Sequence, residues 1–186
     1  MGIMKIQSGD LIFVSMHGME LPEAIAESTA MDRRVAYSHV GIIAVESGRV
    51  WVLHATRGRG CCRDRLSRFM RDFRGRIDLY RPGRAADTDE ILHRACSMYG
   101  QPYNDSFSPD EPGWYCSSYV GYAYQHTGLF HPIPMYFGGD GRSVLPYWRA
   151  YFRKIGKEIP LGKPGIAPNT LVLQGRLRFL GALRLR

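Results

Sequence analysis

The chain reads as an α+β protein built on an antiparallel sheet. Its 186 residues, 45% of them hydrophobic, suffice for one buried core. Strand-like runs and helical stretches are mixed without regular alternation, which argues against a parallel sheet with crossover helices. Two of those runs, Ser38 to Glu46 and Arg49 to Thr56, flank Ser47-Gly48 as the arms of a hairpin would. One domain spanning residues 1–186 is expected.

The remaining elements follow from local chemistry. Asp10 to Ser15 is short and mostly apolar, which suits a strand, and Pro22 to about Ala30 carries Ala24, Ile25 and Ala26 in a helix of modest propensity. Asp64 to Asp72 sets Leu66, Phe69 and Met70 on one side of a helix, and Gly75 to Tyr80 reads as a strand that Pro82-Gly83 ends. Asp87 with Glu90 three residues on resembles a capping box, opening a helix to about Tyr99. Its inward positions are Ile91, Leu92, Ala95 and Met98, and Cys96 is read as core packing. After a loop from Gly100 to Tyr115, a helix runs from Cys116 to about His126, stopped by Gly128, Pro132 and Pro134. Ser143 to Ile155 suits an aromatic-rich helix with Pro146 in its first turn, and Gly175 to Arg186 alternates as a strand. There is no internal repeat and no low-complexity segment.

Charge and cysteine content narrow the function. The formal charge of +8 is concentrated between Arg57 and Arg84, where ten arginines face Asp64, Asp72 and Asp78. Such a stretch can attract an anionic lipid surface or acidic peptides, but no nucleic-acid-binding motif accompanies it and no nucleic acid is expected as a partner. No run approaches the ~20 apolar residues of a membrane span. The start Met1-Gly2-Ile3-Met4-Lys5 leaves little room for a secretory signal. The expected compartment is therefore cytoplasmic, with export behind a removed signal peptide as the alternative. Cysteines 61, 62, 96 and 116 form no Cys-x-x-Cys pair, and no His-x-x-x-His or acidic cluster marks a metal site, so neither a metal nor any other cofactor is expected. Adjacent Cys61-Cys62 rarely satisfies disulfide geometry and reads as the start of a strand.

One thiol and two imidazoles, each in an apolar frame, carry the chemistry. Cys116 follows the chain break at Pro112-Gly113 and precedes Tyr119, Val120 and Ala123 at i+3, i+4 and i+7, which puts its sulfur in the first turn of a half-buried helix. Unpaired N–H groups and the dipole there favour an anion, so the thiol pKa should fall and an oxyanion hole is at hand. His39 enters the apolar strand Val40-Gly41-Ile42-Ile43 and is the candidate general base. If Ser47-Gly48 is a two-residue turn, Gly41 faces His54, and His39 and His54 become diagonal neighbours on one face. A three-residue loop would instead put them on opposite faces. Asp10, after Gly9, is expected to hold a local turn.

Taken in order, Gly9-Asp10-Leu11, Ser38-His39-Val40-Gly41-Ile42, Leu53-His54-Ala55 and Tyr115-Cys116-Ser117-Ser118-Tyr119-Val120 resemble the blocks of the NlpC-type cysteine peptidases of the papain-like superfamily. The cysteine block comes last rather than first, as in the circularly permuted branch, the YiiX/YebB-like amidases. The resemblance runs from Gly9 to about Leu173. It includes Gln101-Pro102-Tyr103-Asn104-Asp105-Ser106-Phe107 and the Ala167-Pro168-Asn169-Thr170-Leu171 segment. It implies a papain-like α+β fold in which a small antiparallel sheet packs against the Cys116 helix. It further implies attack by Cys116, a thioester intermediate, and His54 as the third member that sets the tautomer of His39. Tyr103 or Tyr115 would bind substrate or the oxyanion, or else serve in packing. An amide bond in a peptide, such as a cell-wall-derived one, is the leading substrate. The rivals are a lipid-directed acyltransferase, phospholipase or thioesterase using the same three residues, and a non-catalytic binding module of this shape.

Overall fold

The computed structural model describes residues 5–29, 35–83, 87–174 and 176–184. The expected helix end at Ala30, Arg84 of the arginine-rich stretch, and Gly175 and Arg186 of the last expected strand lie outside them.

A six-stranded antiparallel sheet has the order β4-β3-β2-β1-β5-β8, formed by β1 (Leu11–Ser15), β2 (His39–Glu46), β3 (Arg49–Thr56), β4 (Gly60–Arg65), β5 (Arg76–Pro82) and β8 (Leu177–Leu183). The short pair β6 (Ile133–Pro134) and β7 (Pro164–Gly165) lies apart from it. β1 is buried along its whole length, which explains why it shows an unbroken apolar run instead of alternation. The hairpin register is the two-residue one, with Glu46 opposite Arg49 and Ile42 opposite Leu53. Ser47 and Gly48 both take positive φ, 48° and 73°, as a turn matching the strand twist requires.

Helices cover both faces. On one, α3 (Thr88–Ser97) and α4 (Cys116–Ala123) pack Ile91, Tyr119 and Val120 onto Phe13, Val40, Ile42 and Leu53. On the other, α2 (Leu66–Asp72) sets Phe69 and Met70 against Ile12, Val14, Ile43 and Val52. A third cluster joins α1 (Glu20–Thr29) to α5 (Pro146–Ile155) through Ala24, Phe137, Trp148 and Phe152, and α6 (Pro168–Gln174) closes the fold. None of the helices among the described residues is long and apolar enough to cross a membrane.

Two local expectations need correction. Asp64 is a strand residue of β4, and the helix starts only at Leu66, because pairing with β3 extends through Trp51–Arg65. Cys96 is exposed: the buried stripe of α3 follows Ile91, Ala95 and Met98, and position 96 turns away from it. The Asp87 carboxylate does cap α3, accepting from the Glu90 N–H at 3.1 Å. Asp10 holds its turn as expected, accepting from the Gln7 N–H at 2.8 Å, and is further clamped by the Arg81 guanidinium at 2.6 Å.

The loop before α4 rests on Gly113, which takes φ 93° and would place an added Cβ 2.4 Å from the Pro102 carbonyl oxygen. Trp114 N–H donates to that same carbonyl at 3.0 Å, so the contact holds the Tyr103 segment beside the cysteine helix. Gly113→Ala should therefore destabilise the protein by roughly 2 kcal/mol or more. Chemical denaturation of the two proteins would measure it.

Candidate active site

Cys116 is the first residue of α4, preceded by Tyr115 in extended backbone conformation as N-cap. Ser118 Oγ accepts from the Tyr115 N–H at 3.0 Å, which closes the first turn. The Ser117 hydroxyl donates to the Ile166 carbonyl at 2.7 Å, and the Ile166 N–H donates to Tyr115 Oη at 3.2 Å. Both neighbours of the cysteine are thus tied to the segment that leads into α6. The expected fall in thiol pKa does not occur. Burial pushes the Cys116 thiol up to about 11, outweighing the N–H groups of Val40, Ser117 and Cys116 and the Ser117 hydroxyl, which all favour the thiolate. At neutral pH the group is a thiol.

The two imidazoles form a buried chain. His39 begins β2 and His54 sits in β3, and the two-residue turn brings their rings together, with His39 Nε2 3.0 Å from His54 Nδ1. His54 Nε2 lies 3.1 Å from Asp64 Oδ2, and both side chains are almost wholly buried. Gly41, between the two, has no room for a side chain: an added Cβ would lie 2.7 Å from Val52 and 3.3 Å from His54 Cβ. The rings pack on α2 and the residue after it, His39 stacked on Phe73 at 4.3 Å and His54 edge-on to Phe69 at 5.2 Å. Arg59 grips Asp64 with two N–H groups at 2.8 and 2.6 Å, and together with His54 holds the carboxyl well below its usual range.

Charge then dictates the protons. An ionised Asp64 only accepts, so His54 Nε2 carries a hydrogen. Burial keeps His54 neutral, which leaves its Nδ1 an acceptor, and His39 Nε2–H donates to it. The lone pair of His39 therefore lies on Nδ1. Burial, and secondarily His54, lower the His39 pKa well below 6.5.

Cys116 meets β2 at the Val40 N–H, one residue from His39. It packs with Val40 and Ile42 on the α4 face, whereas the imidazoles contact Phe69 on the α2 face. Among the described residues no hydrogen bond joins the sulfur to the His39 ring. Tyr103 shares a cavity with His39, while Tyr115 lines a second cavity with Cys116. Asp64 is the site residue that sequence reasoning misses. The strand period contains a signal for it: Cys62 pairs with His54, and position 64 returns to the same face.

His54, Cys62 and Asp64 present donor atoms within 4.8 Å of one another. The arginine-rich stretch is largely neutralised: Arg57, Arg59, Arg63, Arg68, Arg76 and Arg81 each pair with a carboxylate.

Residues 5–179 match the family model of the permuted papain-like amidase enzymes, the YaeF/YiiX or C92 family. Among solved structures, the metalloprotein YiiX from Escherichia coli O157:H7 superposes with a TM-score of 0.75 at 22% identity, over 94% of this chain and 96% of that one. A search of the curated proteins found no match. The permuted papain-like α+β fold expected from the motifs is therefore shown.

Two buried imidazoles with lowered pKa values make the fold sensitive to acid. In the unfolded chain both titrate near 6.5, so below that pH the unfolded state binds more protons and stability falls as pH falls. Asp64 acts in the same direction at lower pH, its contribution being lost below the ordinary carboxylate range. Melting temperature followed against pH should hold steady around neutrality and decline through and below about 6.5. A rise on acidification would contradict the assigned neutral imidazoles.

Proposed function

Because the chain belongs to the permuted papain-like amidase family, we propose that it cleaves an amide bond in a peptide, such as a cell-wall-derived one, with Cys116 as nucleophile and His39 as base. His54 orients His39, and Asp64 orients His54. The observation that carries this reading is the buried chain from Asp64 through His54 to His39, which leaves the basic lone pair on Nδ1 at the end of β2 where the cysteine helix arrives.

The resting pair is neutral. Substrate entry brings Cys116 and His39 into contact, a tightening common when catalytic groups are far from alignment in the free enzyme. His39 Nδ1 takes the thiol proton as sulfur bonds to the amide carbonyl carbon, and the helix-start N–H groups of Cys116 and Ser117 receive the oxyanion. The C–N bond breaks, the proton passes from His39 to the leaving amine, and water then hydrolyses the thioester with His39 again as base. Tyr103, adjacent to both groups, is the side chain we assign to substrate contact.

The YiiX structure is that of a metalloprotein, and His54, Cys62 and Asp64 are the donor set that would hold an ion here. They do not fit one well. Both Asp64 oxygens are engaged by Arg59, with Arg68 3.5 Å away, so a cation would enter beside two guanidinium groups. No step is assigned to a metal.

Three outcomes are expected with a chromogenic N-acyl p-nitroanilide. Cys116→Ala abolishes turnover, and alkylation of the parent Cys116 by iodoacetamide climbs with pH toward about 11 without a plateau in the acid range. An acid plateau would instead reveal a preformed thiolate–imidazolium pair. Asp64→Asn lets an amide N–H face His54 and reverses both tautomers, so kcat should drop on the order of 10²–10⁴-fold while the fold persists by circular dichroism. Exhaustive EDTA treatment leaves turnover unchanged; loss of activity restored by a divalent cation would reinstate the metal reading.

A further inference from the structure

Cys116 and His39 face different cavities. The cysteine lines a pocket of about 150 Å³ whose walls are mostly apolar, with Phe107, Met135, Phe137, Trp148 and Ile166 among them. His39 lines a larger one of about 1020 Å³, together with Tyr103, Arg57, Arg59 and Lys154. Ile25 of α1 borders both and stands between them.

A thioester on Cys116 has one substituent on its carbonyl carbon, and the leaving amine departs toward the group that protonates it. If Cys116 and His39 act as proposed above, on which this inference rests, the acyl side belongs in the smaller, more apolar pocket and the amine side in the larger one, where Arg57, Arg59 and Lys154 add charged groups to a partly apolar lining. Size then sharpens the assignment. An apolar cavity of about 150 Å³ accepts a group the size of benzene. We propose that the substrate carries a phenyl-sized or branched-alkyl group on the acyl side of the scissile amide, and a polar amine portion on the other. An acetyl group leaves the pocket unfilled, and a long fatty-acyl chain exceeds it.

Gly139 offers a way to test this. It lines the pocket, its φ is not positive, and an added Cβ would meet nothing nearer than the Glu27 carbonyl oxygen at 3.5 Å. A side chain is tolerated there without backbone strain, and whatever part of a phenyl ring enters the pocket takes up its volume. The experiment compares acetyl, phenylacetyl and hexadecanoyl p-nitroanilides, reading kcat/KM and, by mass spectrometry of quenched enzyme, the acyl group on Cys116. The parent should favour phenylacetyl over both others by about tenfold or more. Gly139→Phe should lose most of that advantage over acetyl. Acylation of Cys116 with equal or better rates for acetyl or hexadecanoyl overturns the pocket assignment and leaves the hydrolase reading standing. No turnover of any of the three substrates, together with no acyl group on Cys116, overturns both. The series on the parent alone decides the matter if the variant does not fold.

Discussion

The hydrogen bond from His54 to Asp64 is the constraint on which the rest of the site depends. A carboxylate this deeply buried is stable only because Arg59 and His54 satisfy it, and removing either would leave a charge in an apolar surrounding. Once Asp64 is held as an anion, every proton along the chain is determined, through His54 to the open Nδ1 of His39. Orientation and protonation of His39 thus come from a group two steps removed from it in the relay. A histidine alone in the third position orients more weakly than a carboxylate does. Here a carboxylate acts through it.

That relay is a product of strand order. β4, β3 and β2 are neighbours, and antiparallel pairing in the two-residue register lines up Asp64, His54 and His39 across them on the α2 face. The thiol arrives from the other side, on a helix packed over the same strands. The two come nearest in sequence register at the start of β2, where the Val40 N–H faces the sulfur one residue after His39. Phe69 and Phe73 floor the imidazoles.

Burial governs the electrostatics more strongly than the helix terminus does. Desolvation raises the thiol and lowers both imidazoles, so each stays neutral at rest, and the balance of helix-start N–H groups is insufficient to reverse it. The arginines contribute to the site through Arg59 and are otherwise spent largely in ion pairs with nearby acids. That leaves less free positive surface than the raw count suggests.

Much of this was legible in the chain. The hairpin, its register and the pairing of His39 with His54 follow from a two-residue turn and the strict two-residue period of strands, both local properties. Cys116 at a helix start follows from Pro112-Gly113 and the apolar spacing behind it. The permuted order of motifs identified the family. What only the tertiary structure decided was which strand lies beside β3, and hence that Asp64 is a buried partner of His54 and no helix opener. It also decided that desolvation outweighs the dipole at Cys116, and that Cys116 and His39 line different cavities. These depend on which distant segments exclude water from a given atom, and no local pattern of residues encodes that.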